Sequence, residues 1–112
     1  MKNKYTAMSK YLTLIAQLEK NGFGEMKAFG NSMMPIINSG SKLTFNKQQS
    51  YNVGDIVFCK VKGRFIDAHK ITKKDAAGRY LIANNKGYEN GWTKTIYGRV
   101  VRTQYGQLEK LF

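Results

Sequence analysis

Beyond Gly24 this chain is cut by turn residues too often to build helices, and that punctuation limits the fold more than any other feature. Short β-type runs lie between the turns, at residues 25–29, 42–46, 55–61, 64–72, 79–83 and 94–103. Lys62-Gly63 and Ala77-Gly78 have the composition of tight hairpin turns, each joining two runs. Residues 84–91 read as a polar loop with two glycines. The run from Asp55 to Val61 is almost continuously apolar, as expected of a strand covered on both faces. Cys59 lies inside it and reads as a buried, inert thiol. Lys60 beside it points to the opposite face, where it does not activate sulfur.

Ahead of the β-type region, Tyr5, Met8, Tyr11, Leu12, Ile15 and Leu18 recur at helical spacing, with Leu14 off the stripe. Asn21-Gly22 supplies a stop, so the expected helix covers residues 5–20. One helix leaves no room for a helix-turn-helix headpiece. The 112 residues suit a single domain, 1–112, with the helix packed on a β domain over 25–103. The expected class is mainly β, with short antiparallel strands and one N-terminal amphipathic helix.

A single Cys and a single His exclude an internal disulfide and make a metal centre improbable, so neither metal nor cofactor is expected. No run approaches the roughly 18 apolar residues of a membrane span. Ser9, Lys10, Thr13 and Gln17 interrupt what would otherwise be the apolar core of a signal peptide. A cytoplasmic protein without a transmembrane anchor is therefore expected. The formal charge of +12 attracts polyanions without choosing among DNA, RNA, an acidic protein or anionic lipid.

The segment Gly30-Asn31-Ser32-Met33-Met34-Pro35 holds the only proline and places a glycine two residues before a serine. Glycine lets the backbone turn sharply and approach a ligand, and proline fixes the exit. By itself the segment also fits an ordinary turn. Three further segments follow it in order: Val53-Gly54-Asp55-Ile56-Val57, Ala68-His69-Lys70-Ile71 and Gly98-Arg99-Val100-Val101. The four together resemble the boxes of the signal-peptidase and LexA-type serine peptidase superfamily, over about residues 26 to 103.

The resemblance implies a peptidase in which Ser32 attacks the scissile carbonyl and one neighbouring base takes its proton. LexA-type members use Lys as the base, whereas the endoplasmic-reticulum type and some bacterial signal peptidases use His. His69 falls on that position, which places this chain nearest the Ser-His branch. Lys70 follows it on the same strand and must face the other way. Imidazole, ordinarily near pKa 6.5, also needs no desolvation to accept a proton at neutral pH. Oxyanion donors implied by the resemblance are the Ser32 N–H, helped by the Asn31 side chain or the Gly30 backbone. The substrate is implied to lie as an added strand beside residues 25–29, near Met26, Ala28, Met33 and Pro35, with small side chains at the cut.

The sequence departs from the family where a Gly-Asp pair supports the base, since Ile82-Ala83-Asn84-Asn85 has no carboxylate. Asn84 is a neutral substitute, and Asp67 or Glu89 an acidic one. No Ala-Gly or Cys-Gly pair precedes Ser32, which argues against self-cleavage of the LexA kind. The competing function is a non-catalytic module of the same fold, acting through Lys60, Lys62, Arg64, Lys70, Lys73, Lys74 and Arg79. Tyr80, Phe65 and Trp92 among them suit single-stranded nucleic acid, and an acidic protein partner fits the same charge. A sheet-edge homodimer is compatible with either function.

Overall fold

The computed structural model describes residues 2–112, with side chains from Met8 onward. Helix α1 spans Lys2–Asn21. Eight strands follow: β1 (Phe23–Ala28), β2 (Ser41–Asn46), β3 (Ile56–Val61), β4 (Arg64–Lys74), β5 (Tyr80–Ala83), β6 (Glu89–Thr93), β7 (Ile96–Tyr105) and β8 (Leu108–Leu111). All pairings are antiparallel, in the order β1-β2-β7-β3-β4-β5-β6, with β8 added to β7. The mainly β class with one N-terminal helix is what the punctuation predicts. No helix among the described residues is long and apolar enough to cross a membrane.

The helix ends where Asn21-Gly22 predicts. Gly22 adopts φ +82°, and its N–H donates to the Leu18 carbonyl at 2.9 Å, closing an αL cap. The buried face differs from the predicted one. Leu14 and Leu18 are each 1% exposed, whereas Met8 and Leu12 face solvent. Tyr5 lies outside the described side chains. Two glycines explain the rotation: a Cβ on Gly24 would lie 2.8 Å from Leu14, and one on Gly98 would lie 3.1 Å from Leu18. The helix therefore seats these leucines in gaps that only glycine leaves.

β3 is covered on both faces, as its apolar run requires. Ile56 and Phe58 join the core beneath the helix with Leu43, Phe45 and Val100. Val57, Cys59 and Val61 face a second core with Tyr51, Ile71 and Ile82. The sheet curls so that β6 returns to β3, where Thr93 Oγ1 donates to the Lys60 carbonyl at 2.6 Å.

Both predicted hairpins form. Lys62 and Gly63 take φ +51° and +79°, the left-handed pair of a two-residue turn. The second hairpin is longer: Asp75 N–H donates to the Arg79 carbonyl at 3.0 Å around a three-residue loop, with Gly78 at φ +83°. Two strands differ from expectation. β6 begins inside the predicted polar loop, and β8 lies beyond residue 103. β8 buries no side chain, so no apolar alternation marks it.

Candidate active site

Between β1 and β2 the chain makes a compact excursion that presents Ser32. Gly30 takes φ +112°, a conformation that favours glycine, and its N–H donates to Ser39 Oγ at 3.0 Å. Met34 N–H reaches the Asn31 carbonyl at 3.2 Å, and Ile37 N–H the Met33 carbonyl at 3.0 Å. Met33 and Ile37 are buried in the core and anchor the turn on either side of the Met34–Pro35 bond, which is cis. Ser32, immediately before the first anchor, is half-buried.

β4 brings in His69, paired across the sheet with Val57. Ser32 Oγ lies 3.0 Å from His69 Nε2. On the far side of the ring, His69 Nδ1 lies 2.7 Å from Asn90 Oδ1 on β6. An amide oxygen only accepts, so in the neutral ring Nδ1 carries the proton and Nε2 presents its lone pair to the serine hydroxyl. Ser32 and His69 border an open cavity of about 270 Å³, walled by Tyr11, Phe29, Ile37 and Phe65.

A Peptidase S24-like family model matches residues 3–101 of the chain. The chain belongs to that family, within the LexA and signal peptidase superfamily. No curated protein matches it.

In this S24-like chain a second asparagine secures the serine turn. Asn85 N–H donates to the Ser32 carbonyl at 3.0 Å, and its Nδ2 donates to the Met34 carbonyl at 3.0 Å. Its Oδ1 accepts from Lys70 Nζ at 3.4 Å. Lys70 thus reaches the serine turn through Asn85, and the partner of the Ser32 hydroxyl is His69 rather than Lys70.

The suggested supports for His69 are corrected. Asn84 does not reach His69; its Oδ1 accepts from the backbone N–H groups of Lys86 and Tyr88, each at 2.9 Å. Asp67 is engaged elsewhere, accepting from the Tyr11 hydroxyl and pairing with Lys10 Nζ at 3.6 Å. A β-bulge explains this, because β4 spends three residues from Ile66 to His69 while β3 spends two from Cys59 to Val57. The extra residue breaks the simple alternation that would put Asp67 and His69 on one face. Burial, then the hydrogen bond to Asp67, push the Tyr11 hydroxyl well above its usual range, so it stays a donor. Glu89 has no hydrogen bond to His69 among the described residues, and that position belongs to its neighbour Asn90.

Of the predicted substrate-side residues, Ala28 and Met33 line the cavity. Met26 is buried beneath β1, and Pro35 is exposed away from the cavity wall. Gly30 offers no oxyanion donor, since Ser39 takes its N–H. The Asn31 side chain is exposed, and neither it nor the Ser32 N–H has a hydrogen-bond partner among the described residues.

The basic residues do not form one surface. Arg64 and Lys74 stand at opposite ends of β4, about 26 Å apart along the strand once its two register shifts are allowed for. Lys60 sits over the Phe65 ring at 4.9 Å and Lys74 over Tyr80 at 5.7 Å. Arg79 is bonded to Asp75 at 2.7 Å and stacks over Trp92 at 5.3 Å. Lys73 is exposed near that end of β4. Lys62 and Arg64 instead border a hollow of about 390 Å³ with Tyr88 and Asn90.

The residues that sequence reasoning missed are Asn90, Asn85 and Tyr11. Asn85 sits in the stretch that corresponds to the family's Gly-Asp, so its position carries a signal. Asn90 carried none, because its place beside His69 depends on how β6 pairs with β5.

Proposed function

We propose that this S24-like domain is a serine endopeptidase in which Ser32 is the nucleophile and His69 the general base. The observation that carries this reading is the 3.0 Å contact between Ser32 Oγ and His69 Nε2 at the edge of an open cavity. Ser32 Oγ attacks the carbonyl carbon of a peptide bond while its proton passes to His69 Nε2. The resulting imidazolium keeps its Nδ1–H on Asn90 Oδ1. The Ser32 N–H faces the developing oxyanion, with the Asn31 amide as second donor. Collapse of the tetrahedral adduct breaks the C–N bond, and His69 returns the proton to the leaving amine. Water then enters, gives a proton to His69 and releases the acyl group by the same route.

Among the described residues β1 pairs with β2 alone; Gln17 Oε1 takes the Glu25 N–H on its outer edge at 3.1 Å, so the edge open to an extended polypeptide is the stretch at Lys27 and Ala28. On β1, Met26 and Ala28 point inward while Glu25 and Lys27 face solvent, so the contact is backbone to backbone. The first test is covalent. A phosphonofluoridate probe should label the wild-type protein at Ser32, and Ser32→Ala and His69→Ala should each abolish labelling. Hydrolysis of an unfolded protein substrate should disappear in the same variants. Cleavage that survives Ser32→Ala would rule the mechanism out.

A further inference from the structure

The dyad adjoins a second concavity. The hollow of about 390 Å³ is lined by Val61, Lys62, Arg64, Ile66, Tyr88 and Asn90, none of them acidic. Two of these residues tie it to the proposed catalytic groups. Asn90 holds His69 at 2.7 Å, and Ile66 also lines the cavity that contains Ser32. The hollow is therefore the continuation of the site on the far side of the imidazole from Ser32.

Its charge is unmet. Neither Lys62 nor Arg64 takes part in an ion pair among the described residues, whereas Lys10, Lys42, Arg79 and Arg102 do. Lys62 is also placed rather than adrift. Its residue adopts φ +51°, and its Nζ would lie 3.5 Å from a Cβ at Gly91, so the absence of a side chain there leaves room for the ammonium. Tyr88, largely exposed, adds an aromatic rim.

From this arrangement we infer that the hollow is a substrate subsite for acidic side chains, and that the peptidase selects polypeptides carrying Asp or Glu on that side of the scissile bond. The inference rests on the Ser32–His69 reading for the word substrate. It assigns Lys62 and Arg64 a specificity role. Ile66 is three residues and Arg64 five residues from His69, or about 7 and 13 Å along the strand once the bulge is allowed for. A long basic side chain shortens that reach, so the acidic residues fall about two to four positions from the cut. The formal charge of +12 acts in the same sense, drawing acidic chains toward the surface before they dock. Nucleic acid is the weaker candidate, because Lys73 and Lys74 lie at the other end of β4, Lys60 sits over Phe65, and Arg79 is engaged with Asp75 and Trp92.

The test separates this inference from the catalytic one. The Ser32→Ala protein, which cannot turn over, is titrated with an acetylated tetraglutamate amide and with its tetraglutamine counterpart, observed by NMR. Tetraglutamate should shift the Arg64 Nε–H and Asn90 side-chain signals and bind about five- to tenfold more tightly than tetraglutamine at moderate salt. Lys62→Glu with Arg64→Glu should remove that difference. Lys73→Glu with Lys74→Glu, an equal charge change at the other end of the strand, should preserve it. All four residues are exposed, and Lys74 gives up only its ammonium contact over the Tyr80 ring, so folding is not at stake. Equal binding of the two peptides, or equal loss in both double variants, overturns the subsite. So does an oligothymidylate that fills the hollow more tightly than tetraglutamate. Acid-selective binding without any cleavage by the wild type sinks the peptidase reading alone, and cleavage without acid preference sinks the subsite alone.

Discussion

His69 Nδ1 is held at 2.7 Å by Asn90 Oδ1, an uncharged amide where a carboxylate would be the stronger partner for an imidazolium. The amide fixes ring orientation and tautomer, but it stabilises the positive charge less. Asn90→Ala should therefore lower the turnover number about ten- to a hundredfold with little change in KM, through loss of positioning. Asn90→Asp should restore or raise the rate. A carboxylate there also favours the protonated ring, so the acid limb of the pH–rate profile should move to higher pH. An Asn90→Asp profile that coincides with the wild type would show that Asn90 acts only in packing.

Asn85 makes three contacts around the serine turn, and two of them use its side chain. Asn85→Ala keeps the backbone bond to Ser32 and loses the bonds to Met34 and Lys70. A cost of about 1–2 kcal/mol in folding stability is expected. Activity should fall further than that loss explains, because the turn that presents Ser32 loses its hold at Met34 and the register with His69 loosens. Thermal unfolding and phosphonofluoridate labelling rates, measured together, check both parts.

Much of this site is readable in the sequence, and what is not has identifiable causes. Ser32 and His69 stand in segments with strong local character, a glycine-serine-proline turn and a strand whose alternation separates His69 from Lys70. Cys59 is equally plain, inside a run too apolar for a solvated strand. Asp67 misleads because a bulge leaves no mark in composition. Asn90 is hidden for a different reason: β6 meets β5 with an irregular register near Ile82 and Ala83, and only that pairing carries the amide to the imidazole. Leu14 looks peripheral by period alone. Its burial is decided by Gly24 and Gly98, far away in sequence, whose lack of a Cβ sets how the helix lies.

Those two glycines can be tested directly. A Cβ on Gly24 would meet Gln17 Oε1 at 2.6 Å and Leu14 Cδ1 at 2.8 Å, closer than van der Waals contact permits. Gly24→Ala should cost about 1–3 kcal/mol, as overpacked core positions do. Gly98→Ala, with its nearest contact at 3.1 Å to the flexible Leu18 terminus, should cost less. Tyr11 is on the displaced helix and walls the cavity, so Gly24→Ala should also raise KM for a peptide substrate. Equal melting temperatures for Gly24→Ala and the wild type would mean that the helix is not seated by these gaps.

Burial makes Cys59 a sensor of unfolding in alkali. The thiol is fully enclosed, and desolvation pushes it from 9.0 up to about 12 in the folded protein. Above pH 9 the unfolded chain releases this proton while the native chain keeps it, so stability falls as pH rises toward 12. The slope is about 1.4 kcal/mol per pH unit. Tyr51 and Tyr97, both raised chiefly by burial, add loss of the same sign at higher pH. Urea unfolding at pH 7, 9 and 10 should show the decline, with the folded thiol unreactive toward a disulfide reagent throughout. Cys59→Ala should be less stable at pH 7, by about 1 kcal/mol for the small cavity, and yet lose less between pH 9 and 10. Parallel slopes for the two proteins would show that the thiol does not set the alkaline limit, leaving that to the tyrosines.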